Sequence, residues 1–235
     1  MLENSLMQGN KSVLFVLGAF ALVALVPACS PKKSAAPAQA AASTQPTLVA
    51  KVVYFEGEVR IDGAAPELGK ELPSKVTIET GPSGSCDIVL GAKNAIRISP
   101  SAIAQLDFSG IVKEVSLKKG GFAAVLRGLA KSEGSDTFRV VTAAAAAAVR
   151  GTCFCVWADE GETYVCACNG AVRTIDAKGS NVLSLESSHH LAKYYSVSGG
   201  VTSVRPAGLE HHDDAAVESL AARIGETVDW TKEDR

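Results

Sequence analysis

No charge of one sign dominates this 235-residue chain: 23 Lys and Arg stand against 25 Asp and Glu, for a net charge of −2. The basic residues are scattered, which excludes the electrostatic footprint of a nucleic-acid binder. Aromatics are sparse, at seven Phe, four Tyr and two Trp, while glycine is plentiful at 21 residues. That balance suits a β protein rich in turns. The longest apolar run, residues 12–26, has fifteen residues and is short for a membrane-spanning helix. No Cys-x-x-Cys-His occurs, so covalent haem attachment has no support. The sequence also shows no phosphate-binding loop, no nucleophile–base–acid arrangement and no well-framed pair of carboxylates. The expectation is therefore a protein that is not an enzyme.

Lys11 precedes the apolar run SVLFVLGAFALVALV, which ends at Pro27-Ala28-Cys29-Ser30. A positive charge, a short apolar stretch and a small residue predict an export signal over residues 1–28. Val26-Pro27-Ala28-Cys29 resembles the lipobox of bacterial lipoproteins, which implies lipidation at Cys29 and a membrane anchor there. By the same resemblance, Ser30 rather than Asp after the cysteine favours the outer membrane, facing the periplasm. Residues 31–46 (PKKSAAPAQAAASTQP) lack the apolar area to offset ordering entropy, so residues 29–48 read as a flexible tether. Folding is expected from about residue 49 onward and outside the cytoplasm, where an exposed thiol tends to oxidise.

From there, short alternating runs recur every ten residues or so: 49–61, 75–79, 86–90, 95–98, 103–108, 112–117, 122–126 and 138–142. Turns containing Gly, Lys-Gly or Thr-Gly-Pro separate them. This rhythm predicts an all-β sandwich, roll or barrel. The six alanines 143–148 have helical propensity, but they lie uncapped between two strand-like runs and are read as extended.

The run 149–172 (VRGTCFCVWADEGETYVCACNGAV) reads as a hairpin, with strands at 152–157 and 163–168 and a polar turn between. Alternation puts Cys153 and Cys155 on one face and Phe154 and Val156 on the other. A register pairing Cys155 with Cys166 would also pair Cys153 with Cys168, gathering four sulfurs on one face.

The segments Gly57-Glu58-Val59, Leu68-Gly69, Ile78-Glu79-Thr80-Gly81 and Cys86-Asp87-Ile88-Val89-Leu90 resemble the FecR domain family. So do Phe138-Arg139-Val140-Val141-Thr142 and, above all, Val149-Arg150-Gly151-Thr152-Cys153-Phe154-Cys155-Val156. A closing strand matches at residues 166–172, with Cys at Cys166 and Cys168 where valine is usual. The resemblance implies an all-β FecR-like domain over residues 49–176, often used for binding. It places Phe154 and Val156 in the core and turns Cys153 and Cys155 outward. Thr142 is followed by Ala143 instead of the usual proline. The family's signalling role through a sigma factor needs a transmembrane and a cytoplasmic segment, and is not carried over.

Residues 177–235 hold all four histidines, as the pairs His189-His190 and His211-His212. A helix over about 213–224, capped by Asp213 or Asp214, has Val217, Leu220, Ala221 and Ile224 on one stripe. So short a helix must dock on the β domain, and the outward hairpin face is the economical place. Docking there would bring the histidines near the cysteines. Three readings stay open. One is a Zn or iron–sulfur site drawn from Cys153, Cys155, Cys166, Cys168, His189, His190, His211 and His212. The second is a disulfide-stapled scaffold or protein-interaction domain without cofactor, its partner an envelope protein. The third is a thiol–disulfide redox partner. Cys86 is expected in the core, and Arg150 and Gly151 at the hairpin root.

Overall fold

The computed structural model describes residues 48–129, 136–149 and 151–232. The export signal, Cys29, most of the tether and Arg150 lie outside these residues. The strands in chain order are β1 Ala50–Glu56, β2 Val59–Ile61, β3 Glu71–Leu72, β4 Lys75–Thr80 and β5 Ser85–Leu90. Then come β6 Asn94–Ile98, β7 Ile103–Asp107, β8 Lys113–Leu126, β9 Phe138–Val141 and β10 Ala145–Val149. The chain closes with β11 Cys153–Asp159, β12 Glu162–Asp176, β13 Val182–Ser187, β14 Leu191–Ser198, β15 Val201–Ala207 and helix α1 Asp214–Ala222. Among the described residues no helix is long and apolar enough to cross a membrane.

The strands form two layers that share the long strands β8 and β12. The first layer runs β3-β1-β5-β6-β8-β11-β12-β14-β15. The second runs β2-β4-β7-β8-β9-β10-β12-β13, with β8 and β9 parallel. The hairpin passes between layers at two glycines. Gly151 (φ 111°) joins β10 to β11, and Gly170 (φ 114°) turns β12 from the first layer into the second. Side chains rarely adopt such angles, which accounts for glycine at both points.

Phe122, Phe138 and Phe154 meet at centroid distances of 5.7–6.3 Å in the core between the layers. Val156, Val165 and Ala167 face the same core, and so does Cys86, whose thiol burial pushes up to about 12. The alanine run is strand, as expected. β10 alternates buried and half-buried positions and is paired on both sides, so tertiary pairing overrides helical propensity.

The segment after residue 176 does more than carry a helix. It adds β13 to the second layer and β14 and β15 to the first. Helix α1 then crosses the outer face of the first layer. Asp213 caps it, its Oδ1 accepting from Ala216 N at 2.8 Å, and Val217, Leu220 and Ala221 point inward. They close a second apolar cluster with Ala95, Val125, Tyr164, Tyr194 and the four hairpin cysteines.

Candidate metal centre

Cys155 pairs with Cys166 across β11 and β12 as the alternation predicts. The next expected pair does not form. A bulge shifts the register beyond Phe154, so that Cys153 lies opposite Asn169 and Cys168 is the extra residue. Cys153 is thereby separated from the other sulfurs and sits beside Arg127, whose Nη2 lies 3.6 Å from its Sγ. Burial pushes its thiol up to about 11, with Arg127 opposing. All five described cysteines are free thiols.

Cys166 and Cys168 are fully buried. Two loops bring histidines to them. His190, from the β13–β14 link, points Nδ1 at Cys166 Sγ at 3.5 Å, and its backbone N–H donates to the carbonyl of Cys168 at 3.0 Å. His212, from the β15–α1 link, points Nε2 at Cys168 Sγ at 3.3 Å. One donor atom from each of Cys166, Cys168, His190 and His212 lies within 4.8 Å of all the others. Cys155 is outside that group of four but touches it, 3.6 Å from Cys168 Sγ to Sγ.

The far nitrogen of each imidazole is anchored. His190 Nε2 meets Asp214 Oδ1 at 2.8 Å, and His212 Nδ1 meets the carbonyl oxygen of Glu210 at 2.9 Å. With those nitrogens donating, loss of the second imidazole proton leaves the lone pairs facing the sulfurs, the tautomers a metal ligand needs. The Trp230 ring covers His190 at 5.0 Å, its Nε1 donating to Glu218.

The other two histidines are placed differently. His189 is exposed and shares the Asp214 carboxylate through Nε2 at 3.0 Å. With His190 and Asp214 it forms a second, more open group of donors. His211 is stacked on Trp157 at 4.6 Å and lies 3.2 Å from the Tyr194 hydroxyl, and it is not among the four donors. Burial lowers its basicity.

Charge in the cluster is shared between sulfur and imidazole. Cys166 is held at about 3, first by its hydrogen bond with Cys168 and then, against burial, by His190 and His212. Burial opposes the charged form of His212, but Cys155 and Cys166 outweigh it and push the group up to about 10. Burial raises Cys168 well above its usual value, and its bonds to Cys155 and Cys166 add to that. The free site thus favours thiolate on Cys166 against imidazolium, an arrangement whose protons a cation would displace.

The docked cap has a second anchor that sequence reasoning missed. Asp87 on β5 is fully buried and lies opposite Arg97 on β6, whose Nε and Nη2 donate to its two carboxylate oxygens at 2.6 and 2.8 Å. Arg223, just past α1, adds Nε at 2.9 Å, and Arg97 Nη1 reaches the Ala216 carbonyl at 3.2 Å. An Asp inside the apolar run CDIVL was the available signal.

Residues 76–173 match the model of the FecR family, described as FecR protein. Over that stretch the chain is similar to the FecR family. No curated protein is a significant match. Two crystal structures of a protein from Parabacteroides distasonis ATCC 8503, described as a "putative anti-sigma factor", are similar with a TM-score of 0.46 and 16% identity. The alignment covers 63% of this chain and 64% and 65% of those chains, under two thirds of their length. Cys155, Cys166 and Cys168 fall inside the matched FecR region, whereas His190, His212 and Asp214 lie beyond it. The candidate centre therefore joins the matched region to the segment that follows it.

Proposed function

We propose that this FecR-domain protein is a non-enzymatic binding module of the cell envelope that holds one metal ion through Cys166, Cys168, His190 and His212. The observation that carries this reading is the convergence of four donor atoms within 4.8 Å, with both imidazoles oriented by a second hydrogen bond. Two cysteines and two histidines are a usual tetrahedral set for structural Zn²⁺. In the Rieske form of iron–sulfur cluster, the two cysteines serve one iron and the two histidines the other. Here each histidine stands 3.3–3.5 Å from a cysteine, which favours a single ion. Zn²⁺ is accordingly the first candidate. Bound there, it would supply a fixed link between the hairpin and the cap. Anchorage through lipidated Cys29 rests on the lipobox resemblance and keeps the module at a membrane surface.

The test is elemental mass spectrometry and absorption on the full chain, purified in detergent without a histidine tag. The expected result is about one Zn per chain, lost in Cys166→Ser and in His212→Ala. A protein free of metal after loading with Zn²⁺, or one whose metal survives both substitutions, would overturn the reading.

A further inference from the structure

An open cleft leads in beside this cluster. Its walls include Ser99, Phe122, Trp157, Tyr164, His211 and, alone among the cysteines, Cys155. Cys153 is turned to Arg127, Cys86 lies in the inner core, and Cys166 and Cys168 stand behind Cys155 without lining the cleft. The outermost thiol is thus the one outside the group of four, and its sulfur already touches a member of that group, Cys168, at 3.6 Å. A disulfide requires the two sulfurs to close from that contact to about 2.05 Å.

We propose that Cys155 is an oxidative modification site for a small hydroperoxide such as hydrogen peroxide, and that its disulfide with Cys168 releases the metal. This inference rests on the metal-binding reading above. In the first step Cys155 Sγ attacks one peroxide oxygen and the O–O bond breaks. The sulfur gives up two electrons and becomes a sulfenic acid, and one water leaves. In the second step Cys168 Sγ attacks the sulfenic sulfur, the S–O bond breaks, the S–S bond forms and a second water leaves. Its proton comes from the Cys168 thiol in the metal-free protein, or from solvent when Cys168 is on the metal. Two thiols and one peroxide thus give one disulfide and two waters.

Cys166, His190 and His212 then remain as three donors, and affinity for the ion falls. The cap stays docked, because Asp87 with Arg97 and Arg223 holds it independently of the ion.

The experiment treats the Zn-loaded full chain with hydrogen peroxide, follows Zn with a chromogenic indicator and maps the cross-link by peptide mass spectrometry. Release of the bound Zn, a Cys155–Cys168 cross-link and reloading after dithiothreitol are expected. Cys155→Ser should load Zn like the parent and release it roughly ten-fold more slowly or worse under peroxide. Release at the parent rate in Cys155→Ser, a cross-link mapping to Cys166–Cys168, or failure of Cys155→Ser to load Zn would each overturn the proposal. Should the parent hold no Zn, the metal-binding reading fails and the release with it. The cross-link itself remains decidable on the metal-free chain: its presence upholds Cys155 as a peroxide site, and its absence removes that too.

Discussion

The two faces of the β11–β12 hairpin are both buried, yet they are buried by different means. On the inner face Phe154, Val156, Val165 and Ala167 pack against Phe122 and Phe138, all from within the matched FecR region. On the outer face Cys155, Cys166 and Cys168 meet α1 and the histidine loops, which come from beyond it. Dispersion and solvent exclusion hold the first face. The second needs polar groups satisfied one by one, by Asp87, by Asp214 and, in our reading, by an ion. A β domain can therefore keep a conventional core while its back acquires chemistry from an added segment.

The strongest way to break the inner face is Phe154→Ala, which opens a cavity beside the Phe122 and Phe138 rings. A loss of about 3–5 kcal/mol is expected in denaturant unfolding. The loss should be the same with and without Zn²⁺, since the ring touches none of the four donors. A loss that shrinks on adding the ion would show that the two faces are not separable.

Asp87→Ala attacks the outer face without touching a metal donor. It leaves Arg97, with 17% of its side chain exposed, and Arg223, with 33%, without their shared carboxylate. Breaking a buried pair from one side costs roughly 3 kcal/mol. Trp230 fluorescence should report loosening of the cap before the β core unfolds. If cap and core melt together at the parent midpoint, the ion pair is not what fastens the cap.

Metal removal comes next in size. At free Zn²⁺ a hundred times the dissociation constant, binding adds about 2.7 kcal/mol to stability, and a chelator removes that increment. His190→Ala and His212→Ala should lose the increment, whereas His189→Ala and His211→Ala should keep it. Melting curves with and without Zn²⁺ read this directly. A His211→Ala protein that lost the increment would refute the assignment of His212 over its neighbour.

That last contrast shows where sequence reasoning stops. Period-two alternation was enough to separate Phe154 and Val156 from Cys153 and Cys155, because side-chain direction in a strand depends on position alone. The docked stripe Val217, Leu220 and Ala221 could be read from helical spacing for the same kind of reason. The bulge at Cys168 could not, since an inserted residue is decided by the layer crossing at Gly170 and breaks the count that alternation relies on. Choosing between His211 and His212, or between His189 and His190, was equally out of reach. His190 (φ 53°) and His211 (φ 63°) adopt left-handed backbone angles that non-glycine residues seldom show, and only one ring of each pair meets a sulfur. Asp87 was missed because a strand reading counts apolar residues and passes over a charge whose partner lies across the ladder. Arg97 faces it on the adjacent strand, and Arg223 arrives from more than a hundred residues away.

The smallest effect tests whether the second layer ignores all of this. Asp107 closes β7, which carries none of the four donors. Its carboxylate accepts from the Ser109 hydroxyl at 2.5 Å and backbone N–H at 2.9 Å and pairs with Lys75 at 3.0 Å. Ser109 first, then Lys75, holds it at about 2, below the ordinary 3.8. A lowered carboxyl stabilises the folded state above the ordinary value, and that contribution fades as pH falls through about 2. Carboxyl-carbon NMR should therefore place the midpoint near 2 in the parent and closer to 3.8 in Ser109→Ala. His212→Ala should leave that titration where it is. A midpoint that moved with that substitution would mean that the outer face reaches through β8 and β12 into the second layer, and the separation of the two faces would have to be given up.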